Sequence, residues 1–181
     1  MRLDEPLPQN LQAALGEFFG SGRVETLDEW ADEIRAKISE DSLSLDSLCH
    51  ADGRTGHYGE MDGERYDFQC FYDVVIMAAV VGEPVDITSE SPDGTVIEAH
   101  STDGTNLSVT PDDAVFSFGI NPDVAADKEE VNLEDGYAAI CPYVKAFSGR
   151  EAYEEWAASV GVPTVAMPLD GATELATALA V

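Results

Sequence analysis

Positive charge is scarce in this chain. Its 181 residues include 9 Lys and Arg against 36 Asp and Glu, a formal net charge of −27. Neutralising nucleic-acid phosphates takes a basic patch, and cations this few and scattered cannot form one. The same shortage disfavours an anionic membrane surface. Long apolar runs are also missing: the longest, Val74 to Val81, is far too short to span a bilayer. The stretch from Met1 to Pro6 has no apolar signal-peptide region, so the expected location is cytoplasmic. Cysteine is limited to Cys49, Cys70 and Cys141, an odd number that argues against a disulfide framework. His50, His57 and His100 are scattered, and with no C-x-x-C or H-x-x-x-H pairing zinc is poorly supported. Gly-rich phosphate loops and G-x-S-x-G elbows are absent too.

What is present is an evenly spread acid excess on a chain that is 44% apolar, enough for a packed core. The length suits one domain with a small appendage. A surface this acidic and this poor in lysine suits concentrated salt, where self-repulsion is screened over about 3 Å at 1 M and charge maintains solubility. The expectation is a halophilic protein working in a KCl-rich cytosol.

The first forty-odd residues read as helical. Leu11, Leu15, Phe18 and Phe19 recur at helical spacing before Gly20. Thr26-Leu27-Asp28-Glu29 forms a capping-box pattern ahead of a helix that buries Leu27, Trp30, Ile34 and Ile38. Ser42 to Cys49 reads as a short helix or a turn. Residues 1–50 are therefore expected to form a small N-terminal helical subdomain, and 51–181 the main domain. In the latter, His57–Met61 and Glu64–Gln69 flank Asp62-Gly63, a dipeptide favoured in two-residue hairpins. Cys70 to Val81 is apolar on nearly every face and stops at Gly82, which favours a buried helix. Strands are expected at Val85–Ser89, Thr95–Ser101, Asn106–Thr110 and Thr164–Met167. Helices are expected at Arg150–Val160 and Thr173–Ala180, while Asn121 to Asp135 reads as a polar connection. The fold class is α+β: an antiparallel β-sheet packed against a buried helix, with the helical subdomain in front.

The informative local feature is Cys70-x-x-Asp73. On a helix starting at 70, positions i and i+3 share a face, so thiol and carboxyl point the same way. A helix N-terminus favours thiolate, and the apolar run around Asp73 would raise its carboxyl pKa. A nucleophilic or metal-binding sulfur beside a proton donor results. On spacing alone, a buried structural cysteine with a first-turn aspartate is the commoner outcome. Cys141-Pro142-Tyr143 is a second candidate, distant in sequence, whose thiol would complete a soft-metal clamp if it converged on Cys70. Cys49 reads either as a soft-metal relay with His50 or as a structural cysteine, the latter being the commoner case.

The run Tyr66-Asp67-Phe68-Gln69-Cys70-Phe71-Tyr72-Asp73, the apolar helix ending at Gly82 and Ser89-Glu90-Ser91-Pro92-Asp93-Gly94 together resemble the alkylmercury (organomercurial) lyases. Ala139-Ile140-Cys141 through Phe147-Ser148, with Ala152 to Ala157 behind, resembles their second cysteine motif and Trp-bearing helix. The order and separation of these motifs over roughly Asp52 to Gly161 carry the likeness, here of a halophilic, archaeal type. The resemblance implies cleavage of a carbon–mercury bond by a proton, giving a hydrocarbon and Hg(II). It maps the reaction onto Cys70, Asp73 and Cys141, with Cys70 and Cys141 holding the metal, thiolates being the soft ligands mercury prefers, and with Asp73 as general acid.

The resemblance further implies no organic cofactor, mercury being substrate and product, and cellular thiols or a mercuric reductase as Hg(II) acceptor. Three features depart from the family pattern: Ser91 where many members have cysteine, Pro142-Tyr143 after Cys141, and a shorter N-terminal portion. The alternative from another class is a non-catalytic soft-metal (mercury or copper) binding or trafficking protein, for which Asp73 would have no use. Of the 36 acids, Asp73 is the one expected to be buried and protonated.

Chemical denaturation in a KCl series tests the charge reading. The midpoint should rise with salt toward molar KCl, and a flat profile would remove the halophilic interpretation.

Overall fold

The computed structural model describes residues 3–38, 44–128 and 130–180. Helix α1 (Gln9–Phe19) ends on Gly20 in the left-handed conformation, which closes its last turn. Helix α2 (Leu27–Ile38) starts with the Glu29 amide donating to Thr26 Oγ1. The reciprocal bond shifts by one residue, since Glu29 Oε2 accepts from the Glu25 amide. Leu27, Trp30 and Ile34 are buried as expected, whereas the Ile38 side chain lies outside the described residues. Of the stretch from Ser42 to Cys49, Ser42 and Leu43 lie outside them as well, and Leu45–Ser47 is a single 3-10 turn.

Strands β1 (His57–Met61) and β2 (Glu64–Asp67) form the anticipated hairpin. Asp62 and Gly63 both take positive φ, 54° and 81°, as the tight turn that matches strand twist requires. Helix α3 (Phe71–Val81) follows, capped by Cys70 and ended by Gly82 at φ 63°. It separates β2 from β3 (Val85–Glu90), which returns to pair with β1 on the side opposite β2. Strands β4 (Val96–Ser101) and β5 (Leu107–Thr110) complete a five-stranded antiparallel sheet in the order β2-β1-β3-β4-β5.

A single sheet is the expectation that changes. Strand β6 (Val115–Gly119) leaves the first sheet and becomes the centre of a second, three-stranded one. All five of its residues, the polar Ser117 included, are buried, as in a strand covered on both faces. Helix α4 (Leu133–Ile140) leads to strand β7 (Ala146–Phe147), which pairs along one edge of β6, and helix α5 (Arg150–Ala157) follows. Strand β8 (Thr164–Pro168) pairs on the other edge of β6, and helix α6 (Asp170–Ala180) closes the chain. The α+β class holds, with two antiparallel sheets in place of one.

The core explains why α3 is apolar all round. It packs on α6 and against β1 and β3, and its first turn meets the second sheet through Phe116. Contact with β1 is close: a Cβ on Gly59 would lie 3.0 Å from Met77 Sδ and 3.3 Å from Val74 Cγ1. Leu11, Leu15, Leu27 and Trp30 of the N-terminal helices belong to the same buried cluster as α3 and α6. Trp156 anchors a smaller satellite cluster with Phe147 and Tyr153. No helix among the described residues is long and apolar enough to cross a membrane.

Phe116 is fully buried, with its ring 6.3 Å from Phe71 and stacked 6.4 Å from Tyr72. Phe116→Ala should therefore cost about 3–5 kcal/mol of stability, read as a lower denaturation midpoint.

Candidate active site

Cys70 and Asp73 sit at the entrance of α3, Cys70 as its extended N-cap and Asp73 in its first turn. Helical geometry puts them on one face. Each is only 2% exposed, and the Cys70 thiol donates to Asp73 Oδ2 at 2.9 Å.

Cys141 arrives from the opposite side on α4. That helix is not legible in the polar stretch from Asn121 to Asp135, yet its start is set by a capping box. Asn132 Oδ1 accepts from the Asp135 amide, and Asp135 Oδ2 accepts from the Asn132 amide. An Asn three residues before an Asp was the available signal. Asp135 is a second buried acid, where the sequence points to Asp73 alone. It pairs with Lys128, which holds its carboxyl below the usual range. Pro142 opens a 3-10 turn over Cys141–Tyr143 that ends α4. Ser117 of β6 pins this turn by donating to the Tyr143 carbonyl and accepting from the Lys145 amide. The Cys141 thiol is thereby aimed at the same Asp73 Oδ2, at 3.8 Å.

Cys49 joins them. The segment around it lies antiparallel to the residues that lead into Cys70: the Gln69 amide donates to the Cys49 carbonyl, and the Ala51 amide to the Asp67 carbonyl. His50 forms a bridge with Phe68. The Cys49 amide donates to Asp73 Oδ1 at 3.4 Å. Cys49, Asp73 and Cys141 offer donor atoms that all lie within 4.8 Å of one another. Cys49 is half-buried rather than a core residue. Nothing in its own spacing announces this, because the pairing that delivers it is long-range. Tyr137 of α4 helps hold it there, its hydroxyl donating to the Ser47 carbonyl at 2.8 Å.

The other candidates lie elsewhere. His57 is buried against Ser89, its imidazole pushed down to about 4 by burial. His50 is exposed and bonds the Leu45 carbonyl, and His100 is exposed and bonds Asp86. Ser91 is buried at the β3–β4 turn and lines neither of the cavities described below.

Burial dominates the electrostatics. It lifts the Asp73 carboxyl to about 6, against the opposing hydrogen bonds from Cys70, the Cys49 amide and Cys141. It also pushes the Cys70 thiol up, with the Asp73 charge adding to the effect. The expectation that the helix N-terminus makes Cys70 a thiolate therefore fails. Removing a thiolate from water and placing it beside a carboxylate outweighs the helix dipole. Cys49 moves the other way: hydrogen bonding from Cys141 lowers its pKa, and the Cys141 thiol is raised in turn.

Two cavities meet at Cys141 and Tyr137. The inner one, about 50 Å³, is walled by Trp30, Ile34, Leu48, Tyr72, Ile76 and Val144 among others, and Cys70 and Asp73 open onto it. Among the described residues, no Lys or Arg lines it. The outer one is an open cleft of about 510 Å³ with Cys49, Gln69, Glu134 and Pro142 in its walls. Tyr72 thus faces the inner chamber, whereas Tyr143 lines neither cavity.

Such a centre, a buried acid shared by thiols in an apolar chamber of an α+β fold, defines a cysteine-based enzyme suited to a soft metal. The sequence profile of the alkylmercury lyases matches residues 51–181, and the chain belongs to that family. It is an organomercurial lyase, cleaving the carbon–mercury bond of organomercury compounds. No curated protein matches it in sequence. Among solved structures it is similar to the mercury-bound form of MerB2, at 16% identity and a TM-score of 0.57. That match covers 96% of this chain and 91% of the other. At that identity the likeness concerns the fold.

The raised Asp73 pKa has a sign that can be measured. Between the unfolded value of 3.8 and the folded value of about 6, the native state holds the extra proton. The stability this proton contributes is complete below the lower value and is lost as pH climbs to the upper one. Asp73→Asn removes that loss, so above pH 6 the variant should gain on wild type by about 2 kcal/mol relative to pH 4. Paired urea titrations across this range check it.

Proposed function

We propose that Cys70, Asp73 and Cys141 are the groups that carry out the lyase reaction. The observation behind this reading is that one buried carboxylate oxygen, Asp73 Oδ2, faces both the Cys70 thiol at 2.9 Å and the Cys141 thiol at 3.8 Å. One thiol takes the mercury of R–Hg–X and its proton leaves with X. The second sulfur then binds the same mercury while its proton passes to Asp73. Two thiolates raise the electron density on the metal-bound carbon. Asp73 returns the proton to that carbon, the carbon–mercury electron pair becomes the C–H bond, and RH departs. Hg(II) stays on two sulfurs. A carboxyl near 6 holds a proton and gives it up at neutral pH, as a general acid should.

In this reading mercury is substrate and product, and no organic cofactor takes part. The protein works in the cytoplasm, without nucleic acid, and passes Hg(II) to cellular thiols or a mercuric reductase. The net charge of −27 supports a halophilic, archaeal-type setting, in which chloride competes for mercury and a two-thiolate clamp is needed to keep it. A binding or trafficking protein would need the sulfurs but not the acid, and the desolvation of Asp73 weighs against it.

Phenylmercury supplied with excess thiol in high salt should release benzene. Asp73→Asn and Cys70→Ser should each lower the rate by about 10²-fold or more, the scale of losing a general acid or its partner. Wild-type turnover in both variants would sink the assignment. Mercury binding without any benzene from wild type would move the protein to the binding class.

A further inference from the structure

The proposed reaction uses two of three thiols that converge. The third, Cys49, occupies a distinct place. It opens on the outer cleft and not on the inner chamber, whereas Cys70 opens on the chamber and not on the cleft. Cys141 is the one sulfur in the walls of both. The donor set whose members all lie within 4.8 Å is Cys49, Cys141 and Asp73, which leaves Cys70 outside it. The sulfurs thus form a series from surface to interior, with Cys141 in the middle.

We propose that Cys49 and Cys141 form an outer two-sulfur station for Hg(II), onto which the product ion moves from Cys70 and Cys141 before an external thiol collects it in the open cleft. This rests on the lyase reading of Cys70, Asp73 and Cys141. The transfer is a ligand exchange at constant oxidation state. A bond forms between mercury and Cys49 Sγ, and the bond to Cys70 Sγ breaks. The proton released by the Cys49 thiol ends on Cys70, and Asp73 lies beside both residues to carry it. Two external thiols then replace Cys49 and Cys141 on the metal and leave a proton on each.

The geometry gives the station a purpose. Cys70 is 2% exposed behind apolar walls, so an incoming thiol cannot reach a metal held between Cys70 and Cys141 without entering the chamber. At the Cys49–Cys141 pair it meets the metal in a cleft of about 510 Å³. Soft two-coordinate metals exchange ligands through a third incoming sulfur, and Cys49 supplies that sulfur from within the protein.

Two measurements on the full chain test the station. In the first, wild type is loaded with one equivalent of mercuric acetate and treated with iodoacetamide, and labelling is read by peptide mass spectrometry. Mercury should protect Cys49, and Cys141→Ser should abolish that protection. Equal labelling of Cys49 with and without mercury overturns the proposal. In the second, Cys49→Ser is mixed with excess phenylmercury and thiol. Benzene should appear as a burst of about one equivalent, followed by a steady state about tenfold slower than wild type, the lower end of what losing a supporting residue costs a metal site. A wild-type steady state with no burst overturns the proposal. Failure of wild type to release benzene at all would instead sink the lyase reading, and the protection experiment would still decide whether Cys49 and Cys141 share the metal.

Discussion

The site depends on burying a carboxyl in an apolar chamber. Asp73 is 2% exposed and faces a chamber that, among the described residues, no Lys or Arg lines. A buried carboxylate left this way costs several kcal/mol unless it is hydrogen-bonded or takes up a proton. Here the balance is met by weak thiol donors and one long amide bond, which leaves the group poised between its two states. Stronger partners would have fixed it as a carboxylate: Asp135, also little exposed, accepts from Lys128 and from the Asn132 amide of its capping box, and both hold its carboxyl below the usual range. The two acids show how the same side chain becomes structural or reactive according to what faces it.

The surrounding fold keeps that poise. α3 is apolar on every face because it is covered on every face, by β1, β3, α6 and the aromatic rings behind its first turn. Gly59 lets β1 approach it to side-chain contact distance. A helix clamped in this way presents Cys70 and Asp73 without freedom to swing into water. The turn at Cys141 is held independently, by Pro142 and by Ser117 of the second sheet. Thiol and acid thus come from one element and the second thiol from another, and their meeting is a property of the packed core.

Much of this was legible in the chain. The hairpin at Asp62-Gly63, the buried helix ended by Gly82 and the shared face of Cys70 and Asp73 follow from local rules of turn chemistry, capping and helical spacing. What was not legible depends on distance. The second sheet arises from the pairing of β6 with β7 and β8, distant in sequence, which no local pattern encodes. The start of α4 is masked by polar residues, although Asn132 and Asp135 cap it. Cys49 reaches the site because its backbone pairs with residues 67–69, and no spacing within residues 44–51 encodes that. The Cys70 thiol departs from the helix-dipole expectation for a related reason: the dipole is a local feature, whereas the burial that overrides it is assembled from the whole core.

Among the described residues that line the inner chamber, Asp73 is the one acid or base besides the thiols and a tyrosine pair, and this has a consequence for the whole cycle. Counting the two inner thiols and an ionised Asp73, the resting chamber holds one negative charge. When R–Hg⁺ enters, a proton leaves. When the second thiol binds, its proton only changes hands within the chamber. Hydrocarbon departs neutral, and Hg²⁺ is finally exchanged for two protons. Each stable state along this path carries the same single charge, so a low-dielectric interior is never asked to solvate a different one. A lysine or arginine placed against the acid would favour the states whose charge sits on the carboxylate over the one whose charge sits on the mercury-bound sulfurs, and so break that evenness. An apolar wall treats every stage alike.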